Sequence, residues 1–165
     1  MNSELKRFGR GFAYAWNGIC AAVREERNFR FHLCAGAYAL AAALMARLPA
    51  AELCLVALCV GAVMALELMN SAVERAVDKP DTSHWWTAGA AKDMAAGAVL
   101  VMALASLLVG ACLFVPRLGQ LWSVLTARWW RPLVLLATLA AACRFIFRSS
   151  NSTQKGETPN GKTDS

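Results

Sequence analysis

Four polar side chains interrupt an apolar run of the sequence, and their spacing places them on one side of a helix. Within ALELMNSAVERAVD they are Glu67, Asn70, Glu74 and Asp78, at offsets of 0, 3, 7 and 11. At ~100° per residue, these offsets confine the four side chains to an arc of about 80°. Clustered carboxylate and amide oxygens are what a hard metal ion requires. The pattern therefore indicates one polar helix face able to bind a cation.

The chain around this helix has the composition of a membrane protein. Of its 165 residues, 58% are hydrophobic and only 17% are charged, whereas soluble domains carry about 25% charged residues. A charged group inside a bilayer costs at least ~2.5 kcal/mol, so acids at that depth need partners or a polar cavity. Basic residues of neighbouring helices could neutralise the row for purely structural reasons. Three carboxylates with an amide between them favour a functional site instead.

Apolar segments and their boundaries predict an all-α membrane protein. Aromatic residues three to four apart, interleaved with Lys and Arg, indicate an amphipathic surface helix over residues 5–31. Three membrane spans are predicted over residues 31–48, 52–78 and 90–115, each near the ~20 residues that cross a bilayer. Pro49 and Pro116 end the first and third of these spans. Residues 1–117 are thus expected to form one membrane domain.

The C-terminal part of the sequence leaves two interpretations open. Residues 118–148 begin with a Trp- and Arg-containing segment typical of an interfacial helix, and residues 132–147 are either a fourth span or a re-entrant piece. Residues 149–165 are polar and are expected to be disordered. They contain GETPNGKT, which matches a phosphate-binding loop by pattern, but no strand precedes it and only two residues follow. We interpret that match as a coincidence.

Two further groups of polar residues are expected at the same membrane surface as the acidic row. EERNFRFH, at the end of the surface helix, supplies Glu26 and Arg30, and AAKDMAAG, at the start of the third span, supplies Lys92 and Asp93. Hairpin connections bring these segments to one side of the membrane. The net charge of +6 suits anionic lipid headgroups better than nucleic acid. The six cysteines show no metal-binding or redox spacing.

ELMNSAVERAVD followed by AAKDMAAGAVLV, with AWNG and EERNFR upstream, resembles the bacterial integral-membrane diacylglycerol kinase family, including its undecaprenol kinase branch. The resemblance covers residues 5–117. It implies a homotrimer of three-span subunits in the bacterial inner membrane, with active sites shared between subunits and facing the cytoplasm. It also implies that ATP and Mg²⁺ are used to phosphorylate a lipid alcohol that arrives from the bilayer.

The resemblance also implies a role for each polar residue. Glu67 is expected to be the general base near the lipid hydroxyl, with Asn70 beside it and Arg30 assisting substrate binding. Glu74 and Glu26 are expected to hold the metal and, with it, the nucleotide. The remaining nucleotide-binding residues are expected to be Arg7, Asp78, Lys92 and Asp93. The loop at His84, Trp85 and Trp86 departs from the family pattern, so no contact is predicted from it.

Two other classes of function remain open from the residues alone. Intramembrane carboxylates also mark proton- or ion-conducting and transport proteins, although these usually have more spans or internal repeats. In a non-catalytic helix bundle, the acidic row and the Lys92–Asp93 pair would have no function. Within the kinase interpretation, diacylglycerol and undecaprenol both remain candidate acceptors, and no role is predicted for the chain beyond Arg117.

Overall fold

The computed structural model describes residues 2–78 and 85–148, and these residues are helical with no strand among them. This confirms the all-α prediction. The helices are α1 (Asn2–Glu25), α2 (Arg27–Met45), α3 (Ala50–Val77), α4 (Trp85–Phe114), α5 (Leu118–Thr126) and α6 (Trp130–Ile146), with a 3₁₀ turn at Val115–Arg117 between α4 and α5.

Two segments of the described chain are long and apolar enough to cross a membrane. Ala50–Val77 has a mean hydropathy of 2.1 and Thr87–Thr126 one of 2.7. The first covers the predicted span 52–78 except its last residue, and the second contains the predicted span 90–115. The helix α2, which contains most of the predicted span 31–48, does not meet the same test within the described residues. The membrane character of the chain is thus supported, and the three-span topology stays a prediction.

The surface helix predicted over residues 5–31 is shorter in the structure. It ends at Glu25, because Glu26 has an extended backbone with φ −97° and ψ 114°, and α2 begins at Arg27. The side chains of α1 from residue 6 to residue 19 are exposed, including Phe8, Phe12 and Trp16. No glycine or proline marks this break, so sequence pattern alone gave no reason to divide the segment.

A compact turn joins α2 to α3. Arg47 has a positive φ of 52°, Leu48 N–H donates to the Ala43 carbonyl and Arg47 N–H donates to the Leu44 carbonyl. This is the Schellman pattern, which supplies donors to carbonyls that a helix end leaves unpaired. Leu48 and Ala43 are buried together with Ala46 and Val56. Pro49 then precedes the first residue of α3.

Further along, α2 and α3 approach each other very closely at Gly36. A Cβ atom added to Gly36 would lie 2.6 Å from Cγ1 of Val60. Glycine therefore allows this approach, and the β-branched side chain of Val60 has little freedom to move away. The contact sets the separation of the two helices that lead to the polar end of α3.

The helices after α4 fold back over α2. At the turn between α2 and α3, Arg117 forms an ion pair with Glu52 at 2.8 Å and Gln120 Nε2 donates to the Ala46 carbonyl at 3.1 Å. From there α6 runs antiparallel to α2, because its first residues lie near Met45 and its last carbonyls contact Arg30. The predicted C-terminal membrane segment 132–147 is therefore a helix that returns to the α1–α2 junction.

We predict that Gly36→Ala lowers the stability of the folded protein. Over-packing at this contact costs about 1–3 kcal/mol, which exceeds the gain of up to ~1 kcal/mol that alanine brings to a helix. Thermal unfolding in detergent would measure the change. Gly61→Ala is the matched control, because nothing lies within 4 Å of a Cβ added there. An equal effect of both substitutions would contradict this account of the helix contact.

Candidate active site

The polar row on α3 passes from the protein interior to its surface. Glu67 and Asn70 are buried, with relative exposures of 3% and 6%, Glu74 is half-buried and Asp78 is exposed at the end of the helix. Ser71 is buried beside them. The row therefore forms a path from a buried carboxylate to solvent at the surface where α3 ends.

Asn70 is held by the next acid in the row. Its Nδ2 donates to Glu74 Oε1 at 2.9 Å, which is the contact expected one helical turn along. Its Oδ1 is buried and has no hydrogen-bond partner among the described residues. A buried acceptor without a donor costs about 1–3 kcal/mol. A bound cation or the hydroxyl of a substrate would satisfy this oxygen.

The break between α1 and α2 brings a third acid to α3. Glu26 lies at the break, and its carboxylate is 3.0 Å from Nη2 of Arg75, the residue that follows Glu74 on α3. This contact places Glu26 beside the helix that carries Glu67 and Glu74. Like charges at short range repel one another unless a cation lies between them.

An arginine that sequence reasoning did not select completes this group. Nη2 of Arg75 lies 2.9 Å from Glu25 Oε2 and 3.0 Å from Glu26 Oε1. The ion pairs attach the end of α1 to α3 next to Glu74. Arg75 follows Glu74 directly and so points ~100° around the helix from the acidic row. Helical spacing therefore gave no signal for it.

The start of α4 is attached to the same end of α3. Lys92 forms an ion pair with Asp78 across the connection between the two helices. Asp93, the next residue, is exposed on α4. The predicted nucleotide-binding lysine thus lies at the open end of the polar row, next to the exposed Asp93.

Two predicted site residues lie elsewhere. Arg7 is exposed on α1, 18 residues before Glu25 and therefore roughly 27 Å along the helix from it. Arg30 is buried and donates to the backbone carbonyls of Val23, Arg24, Ile146 and Arg148. Its predicted contact with substrate stays a prediction. His84 lies outside the described residues, as does the GETPNGKT segment.

The carboxylates beside α3 do not form a complete Mg²⁺ site by themselves. The described residues contain no group of three or more His, Cys, Asp or Glu side chains placed to hold an ion. Mg²⁺ usually keeps several waters and is bound by one or two carboxylates together with substrate phosphates. Glu26 and Glu74, with the unpartnered Asn70 oxygen nearby, fit that kind of site. They would hold the ion only weakly without a nucleotide.

Comparison with known proteins identifies the chain's relatives. The sequence profile of the family described as prokaryotic diacylglycerol kinase matches residues 13–114, which contain Glu26, the acidic row and Lys92. The chain belongs to this family. It is therefore a lipid kinase, which confirms the predicted activity over the transport alternative. The roles of the individual residues in the acidic row stay predictions.

Individual relatives carry two different names. The chain is 40% identical to undecaprenol kinase of Bacillus subtilis over 116 residues, covering 70% of this chain and 94% of that protein. It is 44% identical to diacylglycerol kinase of Synechocystis sp. over 111 residues, covering 67% of this chain and 63% of that protein. Diacylglycerol kinase of Escherichia coli is 31% identical over 106 residues, which are 64% of this chain and 87% of that protein. No solved structure gave a significant match.

We predict that Lys92→Met removes activity with little loss of stability. The ion pair is partly exposed, at 35% for Lys92 and 65% for Asp78, so its contribution to folding is only ~0.2–1 kcal/mol. Loss of a cation that faces the transferred phosphate lowers kcat by about 100-fold or more. Kinase assays and thermal unfolding of the same preparation would separate the two effects. Lys6→Met, an exposed lysine on α1, is the control, and equal activities of the two variants would exclude a role for Lys92 at the phosphates.

Proposed function

We propose that the protein transfers the γ-phosphate of ATP to the hydroxyl of a membrane lipid alcohol, with Mg²⁺ as cofactor. The observation that carries this proposal is the ion pair with Arg75, which holds Glu26 against the helix that carries the buried Glu67 and the half-buried Glu74. Phosphoryl transfer needs mainly positioning and neutralisation of negative charge. A buried base beside a pair of metal-binding carboxylates supplies both.

The chemical step follows from the positions of these residues. Glu67 accepts the proton of the lipid hydroxyl, and the lipid oxygen attacks the γ-phosphorus. The bond between the γ-phosphorus and the β–γ bridging oxygen breaks in the same step. ADP and the lipid phosphate are the products. Bound Mg²⁺ supplies neutralisation of the phosphate oxygens. Asn70 keeps Glu74 in place through its Nδ2, and its buried Oδ1, which has no hydrogen-bond partner among the described residues, stays available to a ligand.

The nucleotide is assigned to the open end of the row. Glu26 and Glu74 hold the metal, and Lys92 contacts the phosphates once it leaves Asp78. A lysine is a strong partner for phosphate oxygens because it carries a compact positive charge. Asp78 and Asp93 contribute to the same nucleotide site. The buried end of the row, at Glu67 and Asn70, faces the lipid alcohol.

We further propose a homotrimer whose sites are shared between subunits. In the most apolar stretch of Thr87–Thr126, only 6% of the residues are buried within one chain. Most of that surface is therefore left for lipid or for other subunits. Arg7 and Asp93 are both exposed within one chain, and Arg7 lies roughly 27 Å along α1 from Glu25. In a trimer each could contribute to the site of a neighbouring subunit. This arrangement would give both residues the roles that the family resemblance implies.

The site is proposed to face the cytoplasm in the bacterial inner membrane. Arg24, Arg75 and Arg144 lie in the last turns of α1, α3 and α6, and Arg27 begins α2 at the same end of the helices. Positive residues favour the cytoplasmic side. ATP is also present on that side. The two candidate acceptors are undecaprenol and diacylglycerol, as named for the relatives in Bacillus and Synechocystis. Turnover of both alcohols by one preparation would decide between them.

We predict that Glu67→Gln lowers kcat by at least about 100-fold, because a general base contributes 10²–10⁴-fold, and leaves the helical fold unchanged. Transfer of labelled phosphate from ATP to lipid would measure the rate. Glu52→Gln is the matched control, since it removes a carboxylate near the other end of α3, where Glu52 pairs with Arg117. That variant should lose stability and keep its activity. Wild-type turnover by Glu67→Gln would refute the assignment of the base.

A further inference from the structure

The helices that follow the family-matched region are attached to the candidate active site through one buried arginine. The match ends at residue 114, and residues 118–148 form α5 and α6. We call these residues the C-terminal hairpin. Its last helix ends next to Arg30, which lies in α2 one helical turn after Glu26.

Every N–H group of the Arg30 guanidinium has a backbone carbonyl as acceptor. Nε and Nη2 donate to the Ile146 carbonyl at 3.2 and 3.1 Å, and Nη2 also donates to that of Arg148 at 3.1 Å. Nη1 donates to the carbonyls of Val23 and Arg24 at 3.3 and 2.9 Å. Five N–H groups therefore make five hydrogen bonds. The side chain is only 5% exposed.

Three of the four acceptors are carbonyls that two helix ends leave unpaired. The last four carbonyls of a helix lack donors within it, and they form the negative end of its dipole. Val23 and Arg24 belong to the last turn of α1, Ile146 is the last residue of α6, and Arg148, the fourth acceptor, follows two residues later. A single cation thus satisfies two converging helix ends. Lysine, with three donors on a flexible stem, cannot make all five bonds.

This connection passes through the residue between α1 and α2. The backbone N–H of Arg30 donates to the Glu26 carbonyl at 3.2 Å, and the Glu26 carboxylate is held by Arg75 of α3. The carboxylate of Glu26 is therefore held by α3, and its backbone carbonyl is held by Arg30. Because Arg30 also binds α6, the position of α6 bears on the position of Glu26.

We propose that the C-terminal hairpin is a brace for the active site, and that Arg30 is the positioning residue through which it holds Glu26 in place. The inference rests on the proposed role of Glu26 in binding MgATP. It gives a function to a part of the chain outside the family-matched region. It differs from the prediction that Arg30 contacts the lipid substrate, because it requires α6 and that prediction does not.

Two observations on α6 support the brace and provide its test. Ala142 is half-buried on the same stripe of α6 as Leu135 and Ile146, whereas Ala141 is exposed. Cys34 follows Arg30 by one helical turn in α2, and Cys143 precedes Ile146 by about one turn in α6, so the Arg30–Ile146 contact places the two cysteines at the same level of neighbouring helices. A bifunctional thiol reagent can therefore report whether α6 is docked on α2, through mass spectrometry of the crosslinked peptides.

The experiment compares full-length Arg30→Gln, Arg30→Lys, Ala142→Trp and the control Ala141→Trp. We expect Arg30→Gln and Ala142→Trp each to reduce the Cys34–Cys143 crosslink and to raise the KM for MgATP by roughly tenfold, as loss of groups that orient a metal ligand does. The KM for the lipid alcohol should change less than twofold. Arg30→Lys should fall between wild type and Arg30→Gln, and Ala141→Trp should match wild type. The double variant Arg30→Gln/Ala142→Trp should be no worse than the poorer single variant, since both break one connection.

Two results would overturn the brace. One is a loss of the crosslink in Ala142→Trp with an unchanged KM for MgATP. The other is an Arg30→Gln variant that keeps the crosslink and raises only the KM for the lipid, which would assign Arg30 to the substrate. If wild-type protein phosphorylates no lipid, the proposed function fails, and the crosslink in Arg30→Gln still decides whether Arg30 holds α6.

Discussion

The cost of holding carboxylates close together in an apolar helix is the constraint on which this structure depends. Glu67 is buried at 3% exposure, and the charges of Glu26 and Glu74 act on it. Such a group is stable only if cations balance it. Among the described ion pairs, Arg75 binds Glu25 and Glu26 and not Glu67. The negative charge that remains would favour a metal ion here, and a bound ion would in turn favour a nucleotide phosphate.

The rest of the fold keeps that end in place and leaves it accessible. The close contact of Gly36 with Val60 fixes α2 against α3, and the Lys92–Asp78 ion pair attaches α4. At the opposite end of α3, Glu52 is paired with Arg117. The carboxylates at the two ends of this helix therefore have different partners. At one end the acid has its own arginine. Near the other end, Arg75 binds Glu25 and Glu26, and Glu74 accepts a hydrogen bond from Asn70.

Helical spacing was sufficient to predict which residues of α3 lie together, because Glu67, Asn70 and Glu74 are positioned by the helix itself. It also gave the all-helical class and the two most apolar spans. It did not give the break at Glu26 or the role of Arg75, because both arise from contacts between α1 and α3. The acceptors of Arg30 lie up to 118 residues away and are backbone carbonyls, which carry no sequence signal. The return of α6 to the α1–α2 junction was not predicted for the same reason, since it depends on the hydrogen bonds between Arg30 and the carbonyls of Ile146 and Arg148.

The central claim is that Glu26 and Glu74 bind a divalent cation together with ATP. The most direct test is the binding of Mn²⁺, as a spectroscopic substitute for Mg²⁺, measured by electron paramagnetic resonance in the presence of a non-hydrolysable ATP analogue. The account predicts nucleotide-dependent binding to wild type and to Glu52→Gln, and binding weaker by at least roughly tenfold in Glu26→Gln/Glu74→Gln, because affinity follows the number of charged ligands. Unchanged Mn²⁺ affinity in that double variant would contradict it.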